Sequence, residues 1–227
     1  VVTSFIKSLD PPNWATRFIS KDEAQRCADA IVAAELKTSG EVIVAIAQKS
    51  APVRHIAVSL SLFFICAGFL LQLSDLDLTG YLVEVAAIPV AVLLSRLSAV
   101  QRLLSIEADL EDAVNLMARS VFHAAGTERT SGATGVLIFI SLMEHRVVVL
   151  GDQAIDTKLP HTLSDKSGHN IWKDVVQHVL QGIRKRSLAE GVIAAVGAAG
   201  ELLSAHFPAE KHNPDEIPNH LVFIRNS

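Results

Sequence analysis

Gly135-Val-Leu-Ile-Phe-Ile-Ser-Leu142 is a nearly continuous apolar run, the pattern of a central strand covered on both faces. Met143-Glu-His145 makes a short turn into Arg146-Val-Val-Val-Leu-Gly151, so the run begins a hairpin of two long strands. Upstream, Glu41-Val-Ile-Val-Ala-Ile-Ala47 is a β-branched strand bounded by Gly40 and a polar turn. Around these strands lie helical patterns. Ser20-Lys-Asp-Glu23 has capping-box spacing and opens a helix that continues through Cys27, Ile31 and Ala34 until Thr38-Ser-Gly40 stops it. Leu110, Val114, Met117 and Val121 mark one apolar helix face, and Ile171, Val175, Val179 and Ile183 mark another. A last helix carries Leu188, Val192, Val196 and Leu203. The strands and helices together predict one α/β domain with a mixed sheet.

Composition sets that domain in a particular solvent. Half of the 227 residues are hydrophobic while aromatic residues make up 5%, so the core is aliphatic. Charged residues are 19%, below the ~25% usual for soluble proteins, and the mean hydropathy of +0.36 is high for a wholly water-soluble domain. The apolar excess has two addresses. Between Arg54 and Asp75 there is no acid, Lys or Arg, and the 18 residues from Ile56 to Leu73 would span roughly 27 Å as a helix, near the ~30 Å of a hydrocarbon layer. Leu78 to Leu97 is a second apolar run, interrupted by Glu84 and Pro89 and ending with Arg96. Two buried helices of a soluble core are the alternative, but tandem helices apolar on all faces are uncommon in such cores. The pattern predicts a two-helix transmembrane hairpin, with spans at 56–73 and 78–97.

Ser74-Asp-Leu-Asp77 links the two runs and carries two acids, whereas Lys49, Arg54, Arg96 and Arg102 flank them outside. The positive-inside rule then puts both outer ends in the cytosol. The start of the chain has no basic segment followed by a long apolar run, so no cleaved signal peptide is expected. The expected organisation is an N-terminal extension at 1–17, an α/β domain at 18–54 and 98–208, the hairpin within 55–97, and a loosely ordered tail at 209–227. The expected location is the inner (plasma) membrane with both termini cytosolic.

Charge and cysteine content exclude several functions. With 20 Lys and Arg against 24 Asp and Glu the net charge is −4, so nothing favours nucleic acid. Cys27 and Cys66 form no disulfide framework or zinc spacing, the nine His show no i,i+4 helical pair, and no nucleophile elbow is present. Glu84 is an intramembrane acid, by default a functional candidate, and structural placement within the hairpin or against an oligomer partner is its simpler role. The loop Gly126-Thr-Glu-Arg-Thr-Ser-Gly-Ala-Thr134 holds Arg129, Thr130 and Thr134, donors suited to an anion; a polar loop before a buried strand also needs no ligand.

Three ordered segments resemble the TPM domain, and more narrowly its bacterial membrane-bound branch, in which a two-helix hairpin follows the first strand. They are Lys37-Thr-Ser-Gly-Glu41-Val-Ile-Val, then Arg129-Thr130 with Thr134 through Asp152, and Glu201-Leu-Leu-Ser-Ala-His-Phe-Pro208. The resemblance covers roughly residues 18 to 208. It implies a three-layer α/β/α sandwich, and it links the chain to assembly of membrane complexes, to acid phosphatase activity in plant relatives, and to a divalent cation, calcium or magnesium, in some members. The family's acid before the central-strand Gly is absent, since Ala133-Thr134 precede Gly135, and Gly151-Asp-Gln-Ala-Ile-Asp156 replaces its Gly-x-Gly-Leu-Glu turn. Asp152 and Asp156 would supply two of the several oxygens that a hard cation takes, or would be ordinary solvated acids of a surface turn. The leading expectation is a membrane-tethered interaction or assembly module whose partners are the lipid bilayer and a membrane-protein complex or a second copy. A metal-dependent phosphatase-like hydrolase is the alternative, and a transporter component built on Glu84 comes third.

Overall fold

A parallel strand pair presents apolar side chains to both sides and must be covered on both. That requirement organises the domain. A computed structural model describes residues 4–7, 10–51, 55–73, 77–105, 107–125, 132, 134–159, 171–209 and 219–225. The elements run β1 (Ser4–Lys7), α1 (Lys21–Glu35), β2 (Glu41–Ala47), α2 (His55–Gln72), α3 (Asp77–Leu94), α4 (Ser98–Leu104), α5 (Glu107–Ala125), β3 (Gly135–Ser141), β4 (Arg146–Gly151), α6 (Gln153–Lys158), α7 (Lys173–Arg184), α8 (Leu188–His206) and β5 (Val222–Arg225). They form two units, one of Val1–Ser50 with Val114–Ser227 and one of Ala51–Ala113.

The first unit is a mixed α/β domain on a five-stranded sheet of order β1-β5-β2-β3-β4. β2 and β3 pair in parallel from Glu41 opposite Gly135 to Ala47 opposite Ser141, and β4 returns antiparallel to β3. Alternation along the strands divides the core in two. Val42, Val44, Ile46, Val136, Ile138 and Ile140 join side chains of α1, α7 and α8. Ile43, Ala45, Leu137 and Phe139 face the other way, onto Val114, Ala118, Val121 and Phe122 of α5. Helices therefore cover both faces, as the strand pattern requires.

The strands and long helices of the sequence pattern are all present. Ser20 caps α1, with Glu23 completing the capping box at 2.7 Å to the Ser20 N–H; these hydrogen bonds hold the Glu23 carboxyl below its usual range. Three segments differ from expectation. Residues 209–227 were expected as a loosely ordered tail, yet Val222–Ile224 is a buried strand that pairs in parallel with β2 and antiparallel with β1. The segment 1–17 was expected as an extension, but it provides β1 and buries Ala15, while Trp14 meets Phe223 edge-on at 6.2 Å. The turn after Gly151 is helical, because Asp152 caps α6 by accepting from the Gln153 N–H at 2.7 Å.

α7 and α8 cross at glycine. A Cβ on Gly182 would sit 2.8 Å from the Gly191 Cα and 3.0 Å from the Ser187 carbonyl oxygen, so backbone meets backbone. The same corner closes with a Schellman arrangement: the Ser187 N–H donates to the Gly182 carbonyl at 2.9 Å and the Arg186 N–H to the Ile183 carbonyl at 3.2 Å. Arg186 takes the left-handed conformation, φ 56°, that glycine ordinarily fills there.

The second unit contains α2 and α3, which pack against one another, and α4. The expected segments 56–73 and 78–97 correspond to helices at 55–72 and 77–94, with 95–97 in the turn beyond α3. Ile56, Leu60, Phe64 and Gly68 lie among the better-covered positions of α2 at intervals of four, and Val83, Ala91 and Leu94 are among those of α3. Pro89 is accommodated inside α3. Among the described residues, the helix long and apolar enough to cross a membrane is α8, and half of it is buried inside the α/β domain, as befits a core helix; α2 has a shorter apolar stretch, Ile56–Leu70.

The Gly182 crossing and the Arg186 corner predict opposite signs. Gly182→Ala should lower unfolding free energy by about 1–3 kcal/mol through overpacking, and Arg186→Gly should raise it by about 1 kcal/mol by relieving the left-handed backbone. Urea denaturation of both variants measures the pair.

Candidate functional site

Two polar groupings lie at opposite ends of the β2–β3 pair. At the end where these strands begin, the side chains serve mainly the backbone. The Thr38 hydroxyl donates to the Phe207 carbonyl at 2.6 Å and accepts from the Gly40 N–H at 3.0 Å. Glu35 accepts from the Val42 N–H at 2.9 Å. The Thr134 hydroxyl donates to the Ser39 carbonyl at 2.9 Å, and the Thr134 carbonyl accepts from the Glu41 N–H at 3.2 Å. Thr134, expected in an anion-binding loop, is thus buried and its hydroxyl proton is engaged in joining β2 to β3. Arg129 and Thr130, its expected companions, lie outside the described residues.

Asp152 follows β4 at the same end of the sheet, its N–H donating to the Gly135 carbonyl at 2.8 Å. Its Oδ1 caps α6, and its Oδ2 is buried with no hydrogen-bond partner among the described residues. Asp156 is exposed on the first turn of α6. The two acids expected to bind a metal are therefore close in sequence but unlike in setting. A hard divalent cation takes six or more oxygens. Among the described residues no three His, Cys, Asp or Glu side chains gather around a common point, and Asp152 with Asp156 falls short of that shell. Glu84 stands half-covered on α3.

Where β2 and β3 end, the structure brings together three residues that the sequence pattern did not single out. Glu144, in the turn after β3, accepts from the Ser50 N–H at 2.8 Å and from the Ser141 hydroxyl through a short hydrogen bond. The Ser50 and Ser141 hydroxyls are 2.7 Å apart. Because Ser141 gives its only hydroxyl proton to the carboxylate, Ser50 must donate to Ser141, and the protons run from Ser50 to Ser141 to Glu144. All three residues are buried, and the relay ends on the Ser50 backbone. It works as a clasp. The Leu142 and Met143 N–H groups donate to the Ala47 and Gln48 carbonyls at 3.0 and 3.1 Å, extending the β2–β3 pairing to the point where Ser50 is held. Ser50 is the last residue of the α/β unit before the chain enters the helical insertion, so Glu144 fixes the exit point.

The signal for this clasp in the sequence is an acid in the short turn that follows an apolar strand. Glu144→Ala would leave the Ser50 N–H and the Ser141 hydroxyl buried without their acceptor, at a cost of about 1–3 kcal/mol. Glu144→Gln keeps an acceptor oxygen and should lose less. Thermal or urea unfolding of the two variants, compared with Glu201→Gln on the exposed face of α8, tests the order.

No family model matches the chain, and no curated protein matches it. Among solved structures, it is similar to the BA42 protein of the psychrophilic bacterium Bizionia argentinensis, whose structure was determined by NMR. The likeness has a TM-score of 0.55 at 19% identity and covers 91% of this chain and 95% of that one. At that identity the two share a fold, and the likeness extends no further.

Proposed function

We propose that this chain is a TPM-like, membrane-anchored module: α2 and α3 form a transmembrane hairpin, the α/β domain faces the cytosol, and that domain holds a partner of a membrane-associated complex. The observation that carries the reading is the surface of the helical pair. Leu62, Phe63, Phe69 and Leu70 on α2, and Leu82, Val85, Ile88 and Leu93 on α3, are exposed. Leaving such side chains in water forfeits roughly 1.5–3 kcal/mol each relative to burial. A soluble helix pair turns its large apolar residues inward and polar residues outward. Here the better-covered positions mix small residues, Ala57, Ser61, Ala67, Gly68 and Ala91, with a few large ones such as Ile56, Leu60 and Phe64, and the eight large apolar side chains named above remain exposed on the pair. Large apolar side chains turned outward, with small residues among the covered positions, suit contact with lipid. At about 1.5 Å per residue, the 18-residue α2 is roughly 27 Å long. Lys49, Arg54, Arg96 and Arg102 at the outer ends favour cytosolic placement of those ends. α8, comparably apolar, has half its length covered by the α/β domain and is not needed as a span.

The interaction role rests on what the domain offers chemically. Among the described residues, the buried Thr38, Thr134, Ser50 and Ser141 hydroxyls and the Glu35 and Glu144 carboxylates are engaged with backbone or with each other, whereas one oxygen of Asp152 accepts no hydrogen bond. That oxygen favours a second reading, a divalent-metal-dependent phosphatase-like hydrolase, for which Asp156 is the nearest acid in sequence.

Topology is tested by adding a membrane-impermeant maleimide to either side of sealed vesicles. Leu73→Cys at the end of α2 should react from the outside alone, and Glu201→Cys on α8 from the cytosolic side alone. Equal reaction of both from the cytosolic side would sink the hairpin. For the choice between readings, the detergent-purified protein should hydrolyse a generic phosphomonoester no faster with magnesium or calcium than with chelator. Metal-dependent turnover that Asp152→Ala abolishes would replace the module by the hydrolase.

A further inference from the structure

The second unit holds an element that the hairpin does not require. α3 ends in tightening turns, with the Ser95 N–H donating to the Ala91 carbonyl at 2.8 Å and the Leu97 N–H to the Leu94 carbonyl at 3.0 Å. At Leu97 the backbone becomes extended, φ −79° and ψ 121°, and α4 starts without a side-chain cap. Gln101 then reaches back. Its Nε2 donates to the Ser95 carbonyl at 2.7 Å, satisfying an acceptor at the end of α3 that the helix itself leaves open, and this ties α4 to the end of α3.

The sequence of α4 is two-sided. Leu97, Val100, Leu103 and Leu104 recur at three- and four-residue intervals and share one arc, while Ser98, Gln101 and Arg102 fall on another. The apolar arc is uncovered: Leu97 is 52%, Leu103 83% and Leu104 45% exposed. Charge changes sharply along the chain here. From Ser95 to Ile106 there are two arginines, Arg96 and Arg102, and no acid; from Glu107 to Asp112 there are four acids and no base. A short helix with exposed leucines, preceded by Arg96 and carrying Arg102 in its sequence, continuous with the proposed span and followed by an acidic helix start, matches the chemistry of the lipid–water boundary.

We propose that α4 is an interfacial foot, lying in the headgroup layer of the same bilayer, with Leu97, Leu103 and Leu104 in the acyl boundary and Arg96 and Arg102 on anionic lipid phosphates. The proposal rests on the transmembrane reading of α2 and α3. It assigns the Gln101 hydrogen bond a positioning role, because that bond sets where α4 leaves the end of α3. The acids that begin α5 mark where the chain turns away from a negative surface.

The test uses the full chain in vesicles of phosphatidylcholine with or without phosphatidylglycerol, and an environment-sensitive fluorophore on single cysteines. Native Cys66, exposed on α2, reports the hairpin. Cys27 stays silent, because it is buried and burial pushes its thiol up to about 12. In a Cys66→Ala background, Leu103→Cys and, as a second probe, Leu104→Cys report α4, and Asp109→Cys reports the start of α5. The α4 labels should be quenched severalfold more strongly than the Asp109→Cys label by a headgroup-level lipid quencher, and less by aqueous iodide. Phosphatidylglycerol should shift their emission further to the blue, and Arg96→Gln with Arg102→Gln should abolish that added shift.

Labels on α4 that match the Asp109→Cys label, that resist both quenchers because protein covers them, or that ignore phosphatidylglycerol would overturn the foot. The Cys66 label separates the two levels of the argument. If it is quenched from within the bilayer while the α4 labels behave as in water, the foot fails and the hairpin stands. If the Cys66 label is itself quenched by iodide, the hairpin reading fails and the foot with it.

Discussion

The structure depends on the need to cover β2 and β3 from both sides. Val44, Ala45 and Ile46, with Ile138, Phe139 and Ile140 opposite, are fully buried, and no arrangement with one wet face could accommodate that pair. Because the two strands run parallel, the chain must cross over between them, and the connection has to leave from the end of β2 and return to the start of β3. Everything between Ser50 and Gly135 lies in that crossover, including α5, which covers one face, and the apolar helical pair. An insertion placed in a crossover can grow without disturbing the register of either strand. The Glu144 clasp reinforces the departure point, where the last residue of the domain is held by a carboxylate from the following hairpin.

The opposite face is assembled at close range. α7 and α8 meet at Gly182 and Gly191, and a Cβ on Gly200 of α8 would come 2.7 Å from the Ala34 Cβ of α1. Three helices can lie over five strands because small residues bring their backbones together. The density achieved there explains why α8, among the most apolar helices of the chain, belongs to the domain core. Composition alone does not distinguish it from a span. The helices differ in what covers them: α8 is half-buried by its neighbours, whereas many large side chains of α2 and α3, Phe63 and Leu93 among them, are exposed.

The sequence was most legible where one local pattern determined one element. β2, β3 and β4 followed from their apolar runs, and α1 from its capping box. It was least legible where burial arises from distant partners. Val222–Ile224 sits in a segment rich in proline and charge, and only pairing with β2 makes it core. The same applies to Ser4–Lys7, which is a strand because β5 lies beside it. The clasp joins Ser50 to residues 91 and 94 positions away, so no spacing rule could have found it. Thr134 was visible as a hydroxyl beside a glycine-rich loop, but its donation to Ser39 is a property of the folded edge. Asp152 and Asp156 were read as a pair because they share the turn where the resembling family carries an acid, and the structure makes one a helix cap and exposes the other on the first turn of α6.

The position of β5 has a consequence for the order in which the molecule is made. Ala45 of β2 waits for Val222, a partner translated 177 residues later, and β1 cannot join the sheet until β5 lies between it and β2. Throughout most of synthesis one edge of β2 is an unpaired row of amides and carbonyls, the kind of surface that pairs promiscuously with other chains. A nascent chain whose helical pair has entered a bilayer would keep that open edge attached to a surface and dilute among its neighbours until the final strand emerges. Anchorage of this kind would protect an unfinished sheet as well as place a finished one.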